Sequence, residues 1–505
     1  MEFCPRFLSF AAIGLLTVSA AFAQPTLTPV QASPKDATSD NTAPKGMAVP
    51  AAVRNFSWCG PVVPPNWDWA LGYLKPVVEQ PKVAETPKAA PRILPITTAL
   101  TDLSMEPALQ GASWSFCAID IKTGEVLAQR DMQRALVPAS SMKTLTTSTA
   151  LALYGTDFVF KTELQYDGQL LEGALNGNIY IKTYGDPLLC SASPDAAMSY
   201  ESFAAMLARV IRDVGIRSIS GYIVADDLIF DPNITEKWQP YSGLISTTTT
   251  FTPSETAAFA DGEEGVSSPK SKQIISVVSS GGEPALQLAH YFRNALTKSG
   301  IQISQPTVTQ RALLNSGAAS TAPRFTMFTH NSAPLRYIVK RTNERSSNVF
   351  AEAILRSLAF RQKGIATTYS GTQVVRDYWT SKGLDLAGSS IQDGSGLSYN
   401  NYVSPYTFAK MLILINNDPK IKDSFYESLP LAGVSGTLEK YFQGMSGYGR
   451  IHAKTGTLTR ILSYTGYAPL ADGRTVAFSM IVNNYNGASY AMRQKLTQAL
   501  SRLVE

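Results

Sequence analysis

Histidine is nearly absent from this 505-residue chain: there are three, His290, His330 and His452, far apart in sequence. Cysteine is almost as scarce, with four, and no two form a Cys-x-x-Cys pair. A zinc site built from closely spaced His and Cys therefore has no support. A Ser-His-Asp hydrolase would need its base from three histidines, none in a recognisable setting. Charge is thin as well, at 16% of residues, and no block of Lys and Arg marks a nucleic-acid surface. The net charge of +5 fits work near an anionic polymer and equally fits no charged partner at all. Past the N-terminus no apolar run reaches membrane-spanning length. No motif calls for a cofactor or a metal. What remains is an ordinary globular composition, 44% hydrophobic, in a chain long enough for two or three domains.

The N-terminus is informative. Arg6 precedes a mostly apolar stretch from Phe7 to Ala21, which ends in Ala21-Phe22-Ala23 before Gln24. A basic residue, a short apolar core and a small-x-small end make a secretory signal peptide, residues 1–23, cleaved after Ala23. The run falls short of the ~20 residues a membrane span needs. The mature chain is thus expected to be exported and periplasmic, with no integral membrane span. It would keep Cys59, Cys117 and Cys190, an odd set that permits one disulfide and one free thiol, with the pairing open. Residues 24–96 are rich in Pro, Ala, Thr and Lys and read as an extension rather than a domain. An aromatic patch interrupts it (Phe56, Trp58, Trp67, Trp69, Tyr73), suited to docking on the protein's own body or on a partner.

Folded structure is expected from about Ile96. Ser113 to Ile121 and Glu125 to Gln129 read as strands joined by a turn at Lys122-Thr123-Gly124. A helix should follow Pro138, from about Ser140 to Tyr154, closed by Gly155. Strand signals at 177–182 and 219–228 then alternate with two helical faces, one carrying Phe203, Leu207, Val210, Ile211 and Val214, the other Leu288, Phe292 and Leu296. The Thr/Ser tract 246–254 and the Gly/Glu/Ser run 261–271 are loop-like. Helical pattern returns at Leu335, Ile338 and Val339, and at Val349, Ala353, Ile354 and Leu358. Three antiparallel strands near 449–459, 462–469 and 474–483 close the chain, followed by a helix from about Ala488.

Three short motifs carry chemistry. Ser140 and Lys143, three apart at a helix start, share a face. A serine hydroxyl needs a nearby base, and lysine serves once desolvation or a neighbouring cation strips its proton. The second is Ser346-Ser347-Asn348, in a polar gap between two helical patterns: Ser346 can pass a proton to a leaving amine, and Asn348 can orient Lys143 or hold a substrate amide. The third, Lys454-Thr455-Gly456-Thr457, falls on a strand. Gly456 leaves room for substrate at the strand edge, Lys454 offers a fixed charge and Thr455 a hydroxyl for a terminal carboxylate. The N–H groups of Thr457 and Ser140 can form an oxyanion hole. Each motif alone is weak. Ser267-Ser268-Pro269-Lys270 repeats the first in a loop-like stretch, and Lys122-Thr123-Gly124 repeats the third in a turn.

Order gives them weight. Ser-x-x-Lys, a Ser-x-Asn triplet and Lys-Thr-Gly, in that sequence, mark β-lactamases and penicillin-binding proteins. Pro138-Ala139-Ser140-Ser141-Met142-Lys143, Gly185-Asp186-Pro187, Asp393-Gly394-Ser395-Gly396-Leu397-Ser398 and Ala453-Lys454-Thr455-Gly456-Thr457-Leu458 resemble the motifs of class C low-molecular-mass penicillin-binding proteins. That is the D-alanyl-D-alanine carboxypeptidase/endopeptidase, or penicillin-binding protein 4-like, family. The resemblance covers roughly residues 97 to 505. It implies an α/β (α+β) transpeptidase fold of the β-lactamase type, an antiparallel sheet flanked by helices. Between the first two motifs it implies inserted domains at 161–332, with catalytic parts at 97–160 and 333–505. It also implies Ser140 as acyl-ester nucleophile, Lys143 as its proton acceptor, Ser346 and Asn348 as the second motif, and Lys454 as a substrate-binding residue. Substrates would be peptidoglycan stem peptides, and β-lactams would inhibit. Two positions depart from the family: Ser347 stands where Asp is usual, and His452 where Arg commonly precedes Lys-Thr-Gly. The rival readings are a serine β-lactamase, which lacks here the long insertion's explanation and a deacylation-base motif, and a catalytically weak wall-binding protein, which the intact motif residues oppose.

Overall fold

The computed structural model describes residues 95–190, 198–226, 284–364 and 366–505, all within one compact unit, Ala89–Glu505. The signal peptide, the aromatic patch, Cys59, the Thr/Ser tract and the second Ser-x-x-Lys lie outside the described residues.

The chain opens with a helix, α1 (Pro95–Ser104), that buries Ile96, Ala99, Leu100 and Leu103 at three- and four-residue spacing. Strands β1 (Ser113–Asp120) and β2 (Val126–Arg130) follow as a hairpin. Its turn is the Lys122-Thr123-Gly124 triplet: Asp120 accepts the N–H groups of Lys122 and Thr123 at 2.8 and 2.9 Å. A turn explains that copy completely. A 3-10 turn, Ala139–Met142, then runs into α2 (Lys143–Tyr154), capped by Gly155 at φ +85°. Helix α2 is rich in Ser and Thr yet buried from Lys143 to Leu151. Its hydroxyls bond back to the preceding turn: Thr147 to the Lys143 carbonyl and Thr149 to that of Leu145, each at 2.7 Å.

The middle of the chain runs β3 (Lys161–Tyr166), β4 (Gln169–Leu171), β5 (Ala174–Asn176), β6 (Ile179–Thr183), α3 (Tyr200–Asp213), β7 (Ser218–Ile219) and β8 (Ile223–Asp226). It continues with α4 (Pro284–Lys298), β9 (Gln302–Ile303), β10 (Thr307–Thr309), α5 (Gln310–Asn315) and β11 (Phe325–Asn331). Two sheets result, ordered β10-β8-β6-β3-β11 and β4-β5-β7-β9. The single strand expected at 219–228 is in fact two, β7 and β8, in different sheets. Gly221 marks the break: a Cβ there would lie 2.3 Å from the Gly177 carbonyl oxygen.

The chain then returns through α6 (Leu335–Glu344), α7 (Asn348–Lys363), α8 (Thr368–Ser381), α9 (Pro405–Asn416) and α10 (Lys422–Ser428). It ends with β12 (His452–Leu458), β13 (Ile461–Pro469), β14 (Thr475–Asn483) and α11 (Ser489–Ser501). These last strands join the first two in one antiparallel sheet, β12-β13-β14-β1-β2. Alternation sorts its side chains onto two cores. Cys117, Ile119, Ala477 and Ile481 pack with α2, α6, α7 and α9. Trp114, Phe116, Ala118, Phe478 and Met480 pack with α1 and α11. Strand β12 forms one edge of this sheet and lies against the 3-10 turn that carries Ser140.

Candidate active site

Ser140 is half-buried and follows Ala139, whose φ of +46° is left-handed. Such a conformation in a non-glycine persists only where its surroundings enforce it. Three neighbours do so. Ser463 on β13 donates to the Pro138 carbonyl at 2.5 Å and accepts from Ser141 at 2.8 Å. Asn483 at the end of β14 accepts the Val137 N–H at 2.9 Å and donates to the Val137 carbonyl at 3.0 Å. Gly396 presses on the turn so closely that a Cβ would meet the Ala139 oxygen at 1.8 Å. The start of the expected helix is thus 3-10, and three residues per turn place Ser140 and Lys143 directly over each other.

Lys143 is fully buried. Its Nζ stands 2.8 Å from Ser140 Oγ, 2.6 Å from Asn348 Oδ1 and 2.7 Å from the Ser395 carbonyl oxygen. Asn348 opens α7, and Ser346 just before it holds a φ of +53°. Ser347, between them, caps α7 by accepting the Phe350 N–H. The position where the resembled family has Asp is therefore a helix cap, which Ser fills as well.

Lys454 is buried too and donates to Ser346 Oγ at 2.8 Å and to the Thr455 carbonyl at 2.7 Å. Gly456 has a different reason from the one expected. A Cβ there would meet Ser463 Oγ at 2.2 Å, Pro138 O at 2.5 Å and Ser140 N at 2.9 Å, so the space is filled by Ser463 and the turn that carries Ser140. Thr455 and Thr457 project from the opposite face of β12: Thr455 donates to Thr437 Oγ1 at 2.7 Å, and Thr457 Oγ1 accepts from the Arg493 guanidinium of α11. All eight residues named from the motifs fall in one place.

Several supporting residues were invisible to motif reading. Ser395 contributes only its carbonyl. Glu352, one turn beyond Asn348, accepts the N–H groups of Gly394 and Ser395 at 2.9 and 2.8 Å. Burial pushes its carboxyl up to about 7, with Asp393 adding to the rise and Arg356 opposing it. Asp393 ties the same loop by accepting from Gly396 and Ser398, both at 2.7 Å. The quoted Asp-Gly-Ser-Gly-Leu-Ser stretch was the one available signal for this loop. His452 stacks on Tyr426 with centroids 4.2 Å apart, and burial lowers its basicity. It therefore does not replace an Arg as a fixed cation. Among the described residues no group of three or more His, Cys, Asp and Glu is placed to hold a metal ion.

A serine and a buried lysine thus lie beside the edge strand of an antiparallel sheet on a penicillin-binding fold. The crystal structure of penicillin binding protein 4 from Haemophilus influenzae shares that fold, with a TM-score of 0.58 at 21% identity, covering 78% of this chain and 97% of that one. Among curated proteins, the D-alanyl-D-alanine carboxypeptidase of Actinomadura sp. (strain R39) is 28% identical over 76% of this chain and 80% of its own length. The D-alanyl-D-alanine carboxypeptidase DacB of Haemophilus influenzae is 24% identical over 76% and 88%. A sequence profile of the D-Ala-D-Ala carboxypeptidase 3 (S13) family matches residues 96–273 and 265–503. The chain belongs to that family.

Proposed function

We propose that this protein is a serine-type D-alanyl-D-alanine carboxypeptidase and endopeptidase acting on peptidoglycan stem peptides through a Ser140 acyl-enzyme. One observation carries the mechanism: Lys143 Nζ lies within hydrogen-bond reach of Ser140 Oγ, Asn348 Oδ1 and the Ser395 carbonyl together. A neutral amine has two N–H donors and one lone pair. Asn348 and Ser395 take the donors, which aims the lone pair at the Ser140 hydroxyl. Lys143 also opens α2, where the positive end of the helix disfavours an ammonium.

In the proposed reaction Lys143 takes the Ser140 proton as Oγ attacks the D-alanyl carbonyl. The N–H groups of Ser140 and Thr457 stabilise the oxyanion. Ser346, held by Lys454, gives its hydroxyl proton to the leaving amine and is reprotonated from Lys143, which returns to the neutral amine. Water then hydrolyses the acyl-enzyme, and a β-lactam would acylate the same serine. Thr455 and Gly456 complete the strand edge on which the peptide lies.

No described helix is long and apolar enough to cross a membrane. We further propose the exported, periplasmic location that the 1–23 signal segment implies, and an inserted-domain role for 161–332 between catalytic parts 97–160 and 333–505. Fluorescent-penicillin labelling tests the central reading. The wild type should label covalently and Ser140→Ala should not; equal labelling of both would end it. Acylation should fall as pH drops and Lys143 takes up a proton, because protonated Lys143 has no lone pair to offer; a flat profile from pH 5 to 9 would remove Lys143 as base.

A further inference from the structure

Lys143 needs more than a nearby serine to act as a base. A neutral amine offers two N–H groups and one lone pair, in three equivalent directions. Asn348 Oδ1, 2.6 Å away, takes one N–H, which leaves two arrangements. The second N–H can point at Ser140 with the lone pair turned away, or the reverse. The Ser395 carbonyl decides between them: at 2.7 Å it accepts a hydrogen and repels a lone pair. The lone pair is then left for Ser140 Oγ. The position of one backbone oxygen therefore governs whether the amine accepts a proton from the serine or donates one to it.

Glu352 holds that oxygen in place. Gly394 and Ser395 belong to no helix or strand, so side chains must fix their peptide planes. A single carboxyl oxygen, Glu352 Oε1, accepts both N–H groups, at 2.9 and 2.8 Å. Thr146, three residues beyond Lys143 on α2, donates to the Gly394 carbonyl at 2.8 Å. Asp393 accepts the Gly396 N–H on the far side of Ser395 at 2.7 Å. The loop lies so close on α7 that a Cβ at Gly394 would stand 3.1 Å from the Ala351 carbonyl oxygen. Glu352 is buried, and its other oxygen, Oε2, has no hydrogen-bond partner among the described residues. Asp393 and Arg356 are the charged groups that act on it. A buried carboxyl is costly, and the hydrogen bonds this one makes go to the loop beside Lys143. Asn348 and Glu352 are four apart on α7 and share a face. Both holds on the amine thus come from one helix, the first directly and the second through Ser395.

We propose that Glu352 is a positioning residue for acylation, holding the Ser395 carbonyl where it turns the Lys143 lone pair toward Ser140. The inference rests on the acyl-serine reading above and deepens it, by adding a residue that works through another residue's backbone. Without Glu352 the loop can rotate its peptide planes, and Lys143 loses the acceptor that orients it.

The test compares Glu352→Gln with Glu352→Ala in the full chain. Both remove the charge, but only Gln keeps an oxygen for the two N–H groups, so their difference reads the positioning. Stopped-flow with a fluorescent penicillin separates non-covalent affinity from the acylation rate constant. Glu352→Ala should acylate about 30-fold or more slowly, with affinity within roughly threefold of wild type, the pattern of a misplaced reactive group. Glu352→Gln should recover the rate to within about fivefold of wild type, the remainder reflecting the weaker bond of a neutral acceptor. The acid limb of acylation should lie about one pH unit higher in the Ala variant than in the Gln variant, because a loosened amine is hydrated and holds its proton more firmly. A purely structural defect would leave that limb in place. Glu352→Asp, one methylene short, should also be slow, by about tenfold or more, and carries the test if the Ala variant does not fold. Equal rates in the Gln and Ala variants, a loss in affinity rather than rate, or an Asp variant as fast as wild type overturns the proposal. Absence of Ser140 labelling in the wild type would remove the acyl-serine reading itself, whereas a labelled wild type with no Gln-to-Ala difference removes only the role of Glu352.

Discussion

Glu352 is the residue whose cost is clearest. It has 1% exposure and anchors the loop that presents the Ser395 carbonyl to Lys143. An unfolded glutamate titrates near 4.5, while burial holds this one up to about 7. Below pH 4.5 both states carry the proton and the group is neutral to stability. Between 4.5 and 7 the folded state binds more protons than the unfolded one, so stability falls as pH rises, by on the order of 3 kcal/mol in total. Glu352→Gln keeps the acceptor and removes the titration. Its melting temperature relative to wild type should climb by roughly 2–5 °C between pH 5 and pH 8 in scanning calorimetry. A constant offset would show that the carboxyl stays ionised throughout. At this scale the sequence pointed to Ser140, Lys143, Ser346, Asn348 and Lys454, because motif reading weighs side chains, and the fold brings these five together. Ser395 acts through a carbonyl, which any residue possesses, and Glu352 and Arg493 lie on helices with nothing local to mark them.

Elements show why certain glycines matter. The sequence placed Gly456 correctly on a strand but could not show what faced it. Pro138 and Ser140 are 300 or more residues earlier, and only the folded register brings their backbone against β12. Gly456→Ala and Gly396→Ala should both displace the Ser140 turn and slow β-lactam acylation by about 100-fold or more, the scale a misplaced reactive group produces. Stopped-flow acylation would measure this, and an unchanged rate in either variant would mean the turn can shift freely. Helix and strand positions were mostly legible from hydrophobic period, as with α6, α7 and β12 to β14. The 3-10 start before α2 was not, since it arises from contacts with Ser463, Asn483 and Gly396 rather than from its own residues. The break between β7 and β8 is likewise set by Gly177 across the gap.

For the molecule as a whole, two thiols report on integrity. Cys117 and Cys190 are both free and buried, so they are not paired with each other. Burial pushes the Cys117 thiol up to about 12 and that of Cys190 higher still. Neither should react with a thiol reagent at pH 8 until the fold opens. Mass-spectrometric mapping along a denaturant series should find both labelled only with global unfolding; early labelling of Cys190 alone would reveal that the middle region opens separately.

The three contacts of Lys143 have one more consequence. Ser140 is three residues away, but two of its other partners, Asn348 and Ser395, are 205 and 252 positions distant. A chain not yet folded has Ser140 and Lys143 side by side and still has no reactive serine, because the amine there is hydrated and protonated. On the proposed mechanism, completing the fold is the activation step.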